Sequence, residues 1–365
     1  MSKQDVPPKN AVLDVEVLQV PWQTEDPFLF CVHHNDAYPK GNAKMGPAAS
    51  LSGRNIGMDF GGKEGWSMYH GEVIPGFPRH PHRGFETITA VQKGFIDHSD
   101  SLGATARFGA GDVQWMTAGN GIEHAEMFPL REMHDDNPLE LFQIWLNLPR
   151  KSKRVRPSFS MFWNENVEKR HVKDAQGRAT EMRLIAGSLD LSTAHLEGDD
   201  VKIEPPRLGG VAAPPDSWAH QADAGVVIAT LGIPPGGHFK LPAAQPDASR
   251  TLYFYQGNQL LVDDVEIPEG HRVLLQGDAS PTLVAGAEGC SLLLLQGRPI
   301  GEPVVHYGPF VMNSAEEINE AVRDYQRDQF GFSWPWKTSA PVHERRKGRF
   351  AKHADGRIET PKKRT

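Results

Sequence analysis

Hydrophobic and polar positions alternate in short runs along most of this chain. Over residues 12–20, Leu13, Val15 and Val17 alternate with Asp14 and Glu16, the period-two pattern of a half-buried strand. Further strands are predicted over 28–32, 85–91, 94–100, 112–116 and 139–148. A second strand-rich block begins near residue 226 and continues through 252–255, 259–262, 273–275, 282–284 and 291–296. Glycine and proline, 36 and 29 residues, recur between the runs and punctuate an all-β chain with many turns. One helix is legible over 314–328. Ser314 and Glu317 form a capping box, and Ile318, Ala321, Val322 and Tyr325 share one face. It reads as a packing helix after the Gly308-Pro309 turn.

The two blocks are spaced alike, which predicts an all-β fold of two tandem β-barrels with a few short helices. The expected division is a barrel over 1–150, a connecting segment over 151–225, a second barrel over 226–335, and a basic, mobile tail over 336–365. Within the connecting segment, a basic stretch over 150–156 opens the region and a Pro/Gly-rich excursion runs from 204 to 216.

A chain of 365 residues accommodates two such domains. Its formal net charge of -7 argues against general binding to nucleic acid or to an anionic membrane. Cys31 and Cys290 lie in apolar runs without a Cys-x-x-Cys pattern, which suits a reducing compartment. No secretory segment opens the sequence, and no run approaches the roughly 20 apolar residues of a membrane helix. A cytoplasmic protein is expected.

Candidate chemistry sits in two motifs, His80-Pro81-His82 and His124-Ala125-Glu126. Residues two apart on a strand share a face, so each motif offers two metal donors on one side. Were the two strands neighbours, three imidazoles and one carboxylate would converge. Those donors suit borderline or hard divalent ions, and an octahedral ion held by four of them keeps two positions for substrate or dioxygen. A single His-x-His pair is more often a surface or turn feature; two pairs beside Gly-rich turns shift that balance. Gly119 and Gly121 supply a tight turn that aims His124 inward. Phe85, Trp115 and Met116 read either as walls of a dry cavity or as ordinary core. Glu86 shares the parity of His80 and His82 but lies roughly 13 Å beyond His82 at ~3.3 Å per residue, so a supporting role is expected. His98 reads as a surface histidine. His33 and His34 face opposite ways, and His238 and His271 in the second block belong to no pair.

The stretches HPHRGFET from His80, GDVQWMTAGNGIEHAEM from Gly111, LFQIWLNLPRKSK from Leu141 and GEPVVHYGPFVMNSAEEI from Gly301 resemble the pirin family. The likeness covers most of residues 12–332, fits poorly over 155–225, and excludes the tail after Trp336. It implies two cupin barrels with metal only in the N-terminal one, held by His80, His82, His124 and Glu126. Iron as Fe2+ is the metal the resemblance implies, and the donors also suit manganese, nickel, copper or zinc. Bacterial pirins are similar to quercetin 2,3-dioxygenases, which open a flavonol ring with dioxygen and release carbon monoxide. The expected partners are then a small aromatic substrate and dioxygen, with Glu126 as both ligand and base. Other pirins are transcription co-regulators, so the alternative is a non-enzymatic, metal- or redox-gated protein that binds a protein partner. A metal-dependent isomerase rests on fold analogy only.

Overall fold

The alternating runs pair into two groups of antiparallel sheets. A computed structural model describes residues 11–193, 207–331 and 333–362. The chain divides into two compact units, Phe30–Asn166 with Glu302–Thr365, and Met1–Leu29 with Val167–Gly301.

In the unit built on Phe30–Asn166, one sheet runs in the order Ile358–Glu359, Phe350–Lys352, Thr105–Gly109, Phe95–Asp100, Ile122–Met127 and Gly76–His82. The other runs Ser158–Phe162, Val113–Thr117, Phe85–Lys93, Leu139–Asn147 and Phe28–Asp36. Inward side chains such as Ile96, Phe108, Met116, Leu141 and Phe159 are buried in one core. Both walls of a histidine-lined cavity therefore come from rigid strands. The second unit has a seven-stranded sheet and a four-stranded sheet around Leu231, Phe239, Leu252, Phe254, Leu292 and Leu294.

Pairing departs from the expected contiguous division. The strand Val12–Val17 pairs with His271–Leu275 and belongs to the second unit, whereas Ser158–Phe162 pairs with Val113–Thr117 in the first. Alternation misplaces the buried face of Val12–Val17, since Leu13 and Val17 are exposed, and it carries no information about a strand's partner. Within the expected connecting segment, Glu168–Lys173 and Ala179–Ala186 are strands of the seven-stranded sheet. Arg207–Gly209, from the Pro/Gly-rich excursion, pairs with Ser188–Asp190, and residues 204–206 lie outside the described residues.

Among the described residues, the basic tail pairs with the sheet instead of extending from it. Phe350–Lys352 pairs with Thr105–Gly109, and Ala351 is fully buried. Arg107 and Asp97, both fully buried, form a two-pronged ion pair of 2.6 Å, and the Arg107 guanidinium also donates to the carbonyls of His343, Glu344 and Lys347. The tail's backbone thus satisfies a buried arginine, an attachment that its own charges conceal in the sequence.

The helix forms at Ala315–Gln326. Ser314 Oγ accepts from the Glu317 N–H, while the Glu317 carboxylate accepts from Asn313. Ile318 and Ala321 pack against Phe310, Met312 and Phe330. No helix among the described residues is long and apolar enough to cross a membrane.

Candidate metal centre

Gly76–His82 is the edge strand of its sheet, which is why it tolerates Pro78 and Pro81 without forfeiting ladder hydrogen bonds. Its pairing with Ile122–Met127 slips by one residue between Phe77, opposite Glu126, and His80, opposite His124. That bulge lets Phe77 and His80, three apart, line one cavity. It also frees the Pro78 carbonyl, which lies 2.8 Å from His80 Nδ1. With Nδ1–H donating there, His80 Nε2 is the nitrogen left with a lone pair.

One donor atom from each of His80, His82 and His124 lies within 4.8 Å of the others. His124 is fully buried, and neither of its ring nitrogens has a hydrogen-bond partner among the described residues. A buried imidazole without a partner is costly unless something coordinates it. Burial pushes the His80 imidazole down to about 4 and holds those of His82 and His124 well below the usual range, with neighbouring imidazoles adding to the effect. Neutral imidazole is the ligating form, so this cluster fits a divalent cation.

Glu126 falls outside that mutual 4.8 Å set but lines the same cavity as His80 and His82. Burial raises its carboxyl, against the opposing pull of His98 and of a hydrogen bond from Thr89. Thr89 Oγ1 lies 2.9 Å from Glu126 Oε1 and 2.8 Å from Gln143 Oε1, while Gln143 Nε2 lies 3.5 Å from Glu126 Oε2. A hydroxyl has one proton to offer these two acceptors. Phe30, His34, Phe77, Phe128, Leu141 and Trp145 form much of the remaining wall of this cavity of about 170 Å³.

His98 corrects the surface reading. It is fully buried opposite Glu126 in the adjoining strand, its ring 5.5 Å from that of His124, and its Nε2 is 3.2 Å from Asp100 Oδ2. The signal was His98-x-Asp100, an alternate pair with an acid as second member. Glu86 is buried and accepts from Thr117 Oγ1 at 2.7 Å, as its distance from His82 suggested. His33 stacks on Phe142 and meets Glu140, whereas His34 turns to the cavity. Phe85 packs on the His82 ring; Trp115 and Met116 are buried core.

Gly119 and Gly121 have φ of 46° and 121°, and an added Cβ would strike Val155 and the Phe330 ring. The turn before His124 thus requires both glycines. Two buried cations brace the stretches flanking the motifs. Arg83 pairs with Asp324 at 2.8 Å and donates to the Asn120 carbonyl; Lys153 donates to Gly84 O, Asn147 Oδ1 and Val311 O. Lys153 lies in the basic stretch over 150–156, where the neighbouring Arg and Lys residues conceal its burial.

Two cupin barrels, one with a buried histidine cluster opening on an aromatic cavity, place this chain among the bicupins. It belongs to the pirin family: the pirin model matches residues 21–146 and the pirin C-terminal cupin domain residues 228–331. A Vibrio cholerae protein provisionally named a quercetin 2,3-dioxygenase is 38% identical, over 71% of this chain and 81% of its own. A pirin-like protein of Caulobacter vibrioides is 33% identical over 71% of this chain and 82% of its own. The crystal structure of a quercetin 2,3-dioxygenase from Acinetobacter baumannii aligns with a TM-score of 0.64 at 23% identity, covering 88% of this chain and 98% of that one, a likeness of fold.

Proposed function

We propose that this chain is a metal-dependent dioxygenase of quercetin 2,3-dioxygenase type, acting on a flavonol-like planar aromatic. The observation that carries this reading is the group of three neutral imidazoles, of which His80 and His82 line an aromatic cavity and the buried His124 has no hydrogen-bond partner among the described residues. His80, His82 and His124 would hold the ion, Fe2+ by family resemblance, with Glu126 as the fourth ligand. Such an ion supplies Lewis acidity and positions for substrate and dioxygen. Trp145, Phe30 and Phe77 offer flat apolar surfaces to an aromatic ring.

Glu126 is the base for the substrate hydroxyl. Its carboxylate accepts from Thr89 Oγ1 at 2.9 Å and faces Gln143 Nε2, so both oxygens have polar neighbours that hold the carboxyl in place. Burial raises the Glu126 carboxyl, which suits a group that takes up a proton.

The test is to load the purified protein with Fe2+, measure bound metal, and follow quercetin absorbance with and without air while assaying carbon monoxide. Oxygen-dependent loss of quercetin with carbon monoxide release is expected. Full metal occupancy without turnover would overturn the enzymatic reading in favour of a binding protein.

A further inference from the structure

A second, larger space adjoins His80. It is an open groove of about 670 Å³ that shares Phe77 and His80 with the inner cavity of about 170 Å³. Pockets that take drug-sized ligands begin near roughly 300 Å³, so the inner cavity is too small to enclose a three-ring aromatic. Part of such a ligand has to lie in the groove.

The two spaces differ in chemistry. The inner wall is largely aromatic and aliphatic, whereas the groove presents the His70 imidazole, the Glu72 carboxylate and the hydroxyls of Thr338 and Ser339. Its walls also differ in origin. Gly57, His70 and residues 72–74 supply part of the lining; residues 338–340 supply another part and lie beyond both family-matched stretches. That second part is tied down. The Arg79 N–H donates to the Ser339 carbonyl at 2.7 Å, and the Trp336 indole donates to the Asp100 carbonyl at 2.9 Å. Ala340 and Val342 pack on Met45, Ile74 and Met127.

We propose that this groove is the outer half of a two-part ligand site: it takes the hydroxylated end of a flat aromatic ligand, and the C-terminal strap at residues 338–340 sets which ligands fit. The proposal rests on the function proposed above, in which the ligand's other end is anchored at the histidine cluster. A polyhydroxylated, multi-ring aromatic meets both requirements, with an apolar chelating end inside and hydroxyls outside. A one-ring chelator needs only the inner cavity.

The experiment compares wild type with Ser339→Trp and, from the other lining segment, Val73→Trp. Each is loaded with the same divalent ion, its metal content is checked by mass spectrometry, and calorimetry gives Kd for quercetin and for maltol, a single-ring hydroxypyranone chelator. The expected result is quercetin binding at least tenfold weaker in both variants, with maltol affinity and metal content unchanged. Equal quercetin affinity in all three proteins overturns the outer subsite and leaves the proposed function standing. Parallel loss of both ligands also overturns it, because the substitutions then act on the centre and not on the groove. A loaded wild type that binds neither ligand overturns the proposed function and the subsite together.

Discussion

His80 and His124 face each other across two neighbouring strands with ring centroids 4.4 Å apart, and burial keeps both imidazoles neutral. No hydrogen bond joins the two rings, which leaves both free for the proposed ion. Removing metal should lower stability, and adding a divalent ion at about 100 times its Kd should restore about 2.7 kcal/mol, read as a rise in Tm. His124→Ala should abolish both the rise and stoichiometric metal uptake. An unchanged metal-dependent Tm in that variant would rule out the histidine cluster as the binding site.

Glu126 and Thr89 share one hydrogen bond beside the cluster. If Glu126 is the base, Glu126→Gln should cut kcat by about 10²–10⁴ under conditions where the variant still holds its metal. Thr89→Val should cost less, because it alters the setting of the carboxyl and not the carboxyl itself. A fully active Glu126→Gln variant removes the assigned role.

Lys153 is buried and gives hydrogen bonds to three acceptors, two of them backbone carbonyls in the stretches that brace the site. Lys153→Met should destabilise the protein by about 3 kcal/mol in urea denaturation, since three acceptors lose their donor in a buried setting. Stability matching wild type would show that water replaces the ammonium at no cost.

Arg107→Met leaves the buried Asp97 carboxylate without its counter-ion and the tail carbonyls without their donor. A loss of roughly 3–5 kcal/mol is expected. Limited proteolysis should now cut between residues 338 and 349 before the rest of the chain. Resistance equal to wild type would show that the hairpin pairing at Phe350–Lys352 holds the strap without Arg107.

The Glu140 carboxyl is held down to about 2 by its hydrogen bond from His33 and by Lys93, against the opposing effect of burial. A carboxyl whose folded pKa is depressed adds stability above its unfolded value, and loses it as pH falls through the folded one. Wild-type stability should therefore decline between about pH 4.5 and pH 2 with a slope that Glu140→Gln lacks. The check is a pair of denaturation series across that window, and parallel curves would refute the assignment.

The two donor pairs were legible because residues two apart on a strand share a face, although burial itself does not alternate in Ile122–Met127, which is buried at every position. Alternation could not reveal the bulge after Phe77, which breaks that rule; Pro78 is the only local hint. Nor could it reveal His98, whose partner is an acid, or Lys153 and Arg83, whose charges look like surface. Strand partners were equally hidden. Val12–Val17 alternates well yet pairs with His271–Leu275, more than 250 residues on, a choice made by sheet packing and not by local pattern.

The interleaving of the two units has a consequence for biosynthesis. The histidine motifs leave the ribosome early, but the strand Phe350–Lys352 that extends their sheet follows well over 200 residues later. At about 5–20 residues per second, the nascent ligands wait on the order of ten seconds or more for it. A ribosome stalled after Asn166 would present that sheet with Thr105–Gly109 as an unpaired edge, the two strands of the histidine motifs already having their partners. A fragment ending there keeps both strands that carry the histidine motifs but leaves the edge at Thr105–Gly109 uncovered, which makes it a poor substitute for the longer chain.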